Sequence, residues 1–171
     1  LWLGDKLGDE GVKYLAESES LTRLTQLSLY RNNIGNEGTI AIANSKNLAK
    51  LEELNLNWNY IEAEGLDALA HSDTLKSLTQ LTLTYNPLGF RGAEVIANAE
   101  NFKNVTLMDL YETEIGNLGG KALANSKNLP AMKTLVLIHN DITEGVEALF
   151  KDNENFPNLE NIYFNKPKET E

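Results

Sequence analysis

The chain has no cysteine among its 171 residues, which removes disulfides, thiolate nucleophiles and cysteine-ligated zinc together. That composition fits a reducing compartment or a bacterial chain. Histidine is almost as scarce, with only His71 and His139. His71 reads as a solvated surface residue. His139 would need Glu112, one repeat away in sequence, and one histidine with one carboxylate makes a poor metal site. Neither GxxxxGK nor GxGxxG occurs, so a phosphate-cradling loop is missing. No apolar run approaches the ~18–20 residues of a membrane-spanning helix, and no secretory signal opens the chain. Basic charge is short as well. Fifteen Lys and Arg stand against 25 Asp and Glu, for a net charge of −10 and a pI near 4.7. Nucleic acid and anionic membrane surfaces call for the opposite sign.

What the chain does contain is a repeat. At a shift of 27 residues, Leu24, Leu51, Leu78, Val105, Met132 and Leu159 fall into one column. Three residues on stand Leu27, Leu54, Leu81, Met108, Leu135 and Ile162. Two further on stand Leu29, Leu56, Leu83, Leu110, Leu137 and Phe164. Then come Asn32, Asn59, Asn86, Thr113 and Asn140, followed by Ile34, Ile61, Leu88, Ile115 and Ile142. The LxL step alternates with period two, so it predicts short strands over 27–29, 54–56, 81–83, 108–110 and 135–137. Segments such as GLDALA (65–70) and GGKALA (119–124) carry helical spacing. Gly38, Gly65, Gly92 and Gly119 mark the turn into each helix. Ala43, Ala70, Ala97 and Ala124 are small enough for helix and sheet to pack closely.

The unit LxxLxLxxNxI resembles the leucine-rich repeat, and its GxxALA half is similar to the ribonuclease-inhibitor-like class. The resemblance implies an α/β fold: a right-handed solenoid of about six repeats, the first one partial. A curved parallel sheet would form the concave side and short helices the convex side. The domain is expected over 1–164, with a polar tail at 165–171. LWLGDKLGDEG (1–11) matches a repeat with one residue missing, so residue 1 is read as a processed or truncated start. The asparagines are read as structural, their amides satisfying backbone donors and acceptors at the bend. NSKNL recurs at 44–48 and 125–129 and is read as internal duplication.

If the leucines point inward, the alternate strand residues face the concave surface. Tyr30, Asn57, Thr84 and Tyr111 end those rows, and Asp109 lies within one. Next comes a rim column of Arg31, Trp58, Tyr85, Glu112, His139 and Lys166. Tyr30, Trp58, Tyr85 and Tyr111 are expected to form one aromatic band. Exposed rings grouped on a polar face point to a contact surface. Acidic pairs such as Glu52–Glu53 and Asp109–Glu112 read as a solvated face, because an open sheet offers no cleft for acid–base work. The expected function is therefore non-enzymatic: a monomeric scaffold, without metal or cofactor, binding a protein partner with a basic surface. Residence is expected in the cytoplasm, or in a host cell if the chain is a bacterial effector. Two alternatives follow from resemblance. One is an enzyme regulator similar to the Ran GTPase-activating proteins, with Arg31 or Arg91 as its arginine. The other is the substrate-recognition arm of a ubiquitin ligase.

Overall fold

The computed structural model describes Leu1 and residues 6–165. The expected rim residue Lys166, Pro167 and the rest of the tail lie outside them. Among the described residues, six three-residue strands alternate with six α-helices. In chain order these are α1 (Gly8–Glu17), β1 (Gln26–Ser28), α2 (Asn36–Asn44), β2 (Glu53–Asn55), α3 (Ala63–Ala70) and β3 (Gln80–Thr82). They continue with α4 (Gly89–Asn98), β4 (Leu107–Asp109), α5 (Gly116–Ala124), β5 (Thr134–Val136), α6 (Glu144–Glu147) and β6 (Asn161–Tyr163). The strands form one parallel sheet in sequence order. Their register pairs Leu27 with Leu54, Leu81, Met108, Leu135 and Ile162 in turn. The repeat columns of the sequence are thus spatial columns. Strands stack ~4.8 Å apart while helices need ~8–10 Å, so the sheet is the concave side of a solenoid and the helices are its convex side.

Each strand begins one residue earlier than the leucine pattern suggests. The parallel ladder ends where an asparagine takes over the backbone. The Leu29 carbonyl accepts the Asn59 side-chain amide at 3.0 Å. The Asn57 N–H, next in line, donates to the Asn55 side chain instead at 3.0 Å. Asn59 also donates to the Leu56 and Asn57 carbonyls, and its Oδ1 accepts the Asn32 and Ile34 N–H groups, both at 3.0 Å. The ladder is damaged where Thr113 replaces asparagine. Thr113 Oγ1 reaches only Leu110 O and Asn140 Oδ1, and the Leu88 N–H donates to Asn86 O within its own turn.

Two further ladders lock the repeats on the convex side. At helix starts, a side chain of one repeat accepts from the first turn of the next. Asp9 Oδ1 takes the N–H groups of Gly35 and Gly38, Asn36 Oδ1 those of Glu62 and Gly65, and Asn117 Oδ1 that of Thr143. The same column holds Ala63 and Phe90, which cannot accept. The helices that follow them, α4 and α5, begin on left-handed glycines, Gly89 (φ 61°) and Gly116 (φ 60°). One-residue turns and side-chain caps are thus alternative solutions to the same problem. At helix ends, Ser45 and Asn47 both donate to Ala16 O, and Ser126 and Asn128 to Ala97 O. The recurring NSKNL is therefore a clamp on the preceding repeat's helix.

Candidate functional site

The turn after each strand does something unusual for large side chains. Arg31, Trp58, Tyr85, Glu112 and His139 all hold left-handed backbone, with φ between 50° and 58°. Only glycine and asparagine enter that region without cost, and other residues give up roughly 1 kcal/mol or more. The conformation is held by the neighbouring repeat. The N–H groups of Arg31, Trp58, Tyr85 and Glu112 donate to the carbonyls of Asn57, Thr84, Tyr111 and Ile138, at 2.7–3.0 Å. The turn tucks the following asparagine or threonine inward and leaves the rim side chain outside. Such strain gathers where a side chain must be presented.

The presented rings touch one another. Trp58 stacks on Tyr85 with centroids 4.0 Å apart and planes 34° from parallel. Tyr85 meets Tyr111 at 5.4 Å, and Tyr111 meets His139 edge-on at 5.0 Å. One lane of four rings therefore crosses four repeats. Trp58 remains 44% exposed within it. The lane differs from the expected band at one end. Tyr30 is exposed but stacks on no other ring among the described residues, because its neighbour in the next repeat is Asn57. His139 takes the place of a fourth aromatic.

Several of the sequence-selected residues hold the backbone as well as face the concave side. Asn57 is half-buried and its Oδ1 accepts the Thr84 N–H at 2.9 Å. It is not the free surface amide that its position suggested. Asp109 likewise accepts the Tyr111 N–H at 3.0 Å. Thr84 keeps a hydroxyl with no hydrogen-bond partner beside the lane. His71 is exposed at the end of α3, against Asp67. No group of three potential metal ligands occurs among the described residues.

The Tyr85 hydroxyl donates to the Glu112 carboxylate and is also bonded to Tyr111. These bonds, with burial adding to them, push its pKa up to about 12. The folded state thus prefers the protonated phenol. The stabilisation is complete below the ordinary tyrosine pKa of about 10 and is lost as pH rises through about 12. An ultraviolet titration is expected to find one phenol ionising late, and Glu112→Gln is expected to bring it earlier. A late phenol that ignores Glu112→Gln would mean the Tyr85–Glu112 bond is not its cause.

A second column of the same ridge escaped the sequence reading. Two residues beyond the rim stand Lys6, Asn33, Tyr60, Pro87, Glu114 and Asp141. Lys6, Asn33, Glu114 and Asp141 are also left-handed, with φ between 51° and 72°. The signal was available at the 27-residue shift, but of the four left-handed residues only Asn33 and Asp141 are of types that announce such a turn, while Lys6 and Glu114 are not. Lys6, Arg31, Asn33, Trp58, Tyr60 and Tyr85 line one groove of about 570 Å³.

A family comparison agrees with this repeating geometry. A leucine-rich-repeat family model matches residues 20–43 and 47–70. A crystal structure of an internalin from Listeria monocytogenes is similar at 16% identity with a TM-score of 0.48, over 91% of this chain and 54% of that one. The chain thus spans about half the internalin's length. No curated protein matches the sequence. The strand, turn and helix of the two matched repeats recur at β3–α4, β4–α5 and β5–α6, and the fold is a leucine-rich-repeat solenoid.

Proposed function

We propose that the protein is a non-enzymatic recognition scaffold of the ribonuclease-inhibitor-like class, acting as a monomer. Its partner is a protein held against the ring lane at the edge of the concave sheet. An intracellular adaptor or a bacterial effector delivered into a host cell would both suit such a scaffold. The observation that carries the reading is the lane itself: four touching rings, three of them (Trp58, Tyr85 and His139) raised on left-handed turns, with Trp58 still 44% exposed. Rings that served only as core cover would lie down on the leucines, whereas Trp58 stacks on Tyr85 and stays exposed. Rigid aromatics give much contact area for little lost entropy and dominate hot spots. Glu53, Asp109 and Glu112 beside the lane favour basic residues around the partner's apolar centre.

The test is Trp58→Ala combined with Tyr85→Ala. Partners are captured from lysate with the wild-type chain, identified, purified and titrated against both proteins. The double variant is expected to bind at least tenfold more weakly, with circular dichroism and melting close to wild type. A folded variant that binds normally would move the site to the convex helices. A variant that no longer folds would mean the rings belong to the core.

A further inference from the structure

The ridge is polarised. Along its inner column the order is Arg31, Trp58, Tyr85, Glu112, His139, and along its outer column Lys6, Asn33, Tyr60, Pro87, Glu114, Asp141. The inner column runs from cationic through aromatic to the acidic Glu112 and closes on His139, and the outer column runs from cationic through polar, aromatic and apolar to acidic. Parallel register keeps neighbours in each column one strand spacing apart. The cations therefore share one end, where Lys6 and Arg31 line the groove together with Trp58 and Tyr60. Neither cation takes part in an ion pair among the described residues. Two unpaired cations on one ridge of a chain with net charge −10 stand out against the field of the whole molecule. The carboxylates of Glu112, Glu114 and Asp141 are exposed at the opposite end.

From this we infer that the ridge takes an extended, dipolar segment of a partner protein. Acidic residues of that segment meet Lys6 and Arg31. An apolar centre lies on the groove of Trp58, Tyr60 and Tyr85. Basic residues meet Glu112, Glu114 and Asp141. The inference rests on the ring lane being the partner site and adds the partner's charge order to it. Length is consistent with an extended segment. Arg31 to His139 is four strand spacings, ~19 Å, which ~6 extended residues cover at ~3.3 Å each. A folded basic surface would find the Arg31 end repulsive, and a folded acidic one the Glu114 end. Only a charge order matching the ridge satisfies both.

The experiment uses three synthetic peptides with blocked ends and a common Ala-Leu-Leu-Ala centre. One carries two aspartates before the centre and two lysines after it; one carries aspartates on both sides; one carries lysines on both sides. Each is titrated into the isotopically labelled full chain by NMR at low salt. The dipolar peptide is expected to bind at least fivefold more tightly than either of the others, with the advantage shrinking at high salt. Lys6→Glu with Arg31→Glu is expected to transfer the preference to the peptide with lysines on both sides. Equal affinities in the wild type, or an unchanged preference in the charge-reversed variant, would overturn the polarity. No binding by any of the three at millimolar concentration would overturn the extended-segment proposal and leave the ring lane to a folded partner. If Trp58→Ala with Tyr85→Ala binds the peptides as the wild type does, it is the ring reading that fails.

Discussion

Replacing Asn59 by alanine is expected to destabilise the protein by about 3 kcal/mol and to lower its melting temperature by about 6–12 °C. The side chain is 4% exposed and makes five hydrogen bonds, two accepted from backbone N–H groups and three donated to backbone carbonyls. Those to Asn32 N–H, Ile34 N–H and Leu29 O cross to the preceding repeat. Alanine would strand those groups in a bend from which water is excluded, and an unpaired buried polar group costs about 1–3 kcal/mol. The total stays near the top of that range for one group, because the bend can relax and admit water at its open side. The control is Asn44→Ala, at the exposed end of α2, which is expected to change melting little. Asn57→Ala is not a suitable control, since its side chain caps the Thr84 N–H. Thermal melts of the two variants settle the matter. Equal melting temperatures would mean that the ladder bonds are replaceable by water.

What the sequence made legible was whatever repeats at 27 residues with a single chemical meaning. The leucine columns and the asparagine column have that property, because every repeat must bury the same face and satisfy the same bend. The strands slipped by one residue because the leucines report burial, whereas the strand boundary is set by a hydrogen bond. Asn59 takes the Leu29 carbonyl that a longer strand would have used. The helix-start ladder was hidden because its column is chemically mixed. Asp9, Asn36 and Asn117 accept hydrogen bonds, while at Ala63 and Phe90 a left-handed glycine in the next repeat does the job instead. The ridge was half legible. Its rim column of rings was visible as a pattern, but arginine, tryptophan and tyrosine carry no local preference for left-handed backbone, and His139 is the one rim residue whose type is enriched there. That conformation is imposed by the neighbouring repeat through the carbonyl each rim N–H reaches, which is tertiary information. The roles of Asn57 and Asp109 were lost for the same reason. A polar side chain on a concave strand looks free until the backbone donor beside it is located.

Gly65 is the position where ordinary helix propensity should give the wrong sign. It lies in the first turn of α3, and alanine in place of glycine normally stabilises a helix by about 1 kcal/mol. Here an added Cβ would lie 2.8 Å from Asn36 Oδ1, 3.1 Å from Asn36 Cα and 3.2 Å from Thr39 Cβ, all on α2. Two of these atoms are close to the backbone and cannot swing away. The third is the oxygen that caps α3 through the N–H groups of Glu62 and Gly65, so displacing it also uncaps the helix. Overpacking of this kind costs about 1–3 kcal/mol, and losing a cap adds about 1 kcal/mol. Set against the propensity gain, Gly65→Ala is expected to destabilise by about 2 kcal/mol in denaturant melts. The two contributions can be separated. Asn36→Ala alone removes the cap, and it also removes the nearest clashing atom. The double variant Asn36→Ala with Gly65→Ala should therefore be more stable than the sum of the single changes predicts, by about 1 kcal/mol. Strict additivity would show that the cap survives in Gly65→Ala and that only the α2 backbone resists the new methyl group. A stabilising Gly65→Ala would mean that the helices can move apart without loss, and that their close approach is not set by this column of glycines.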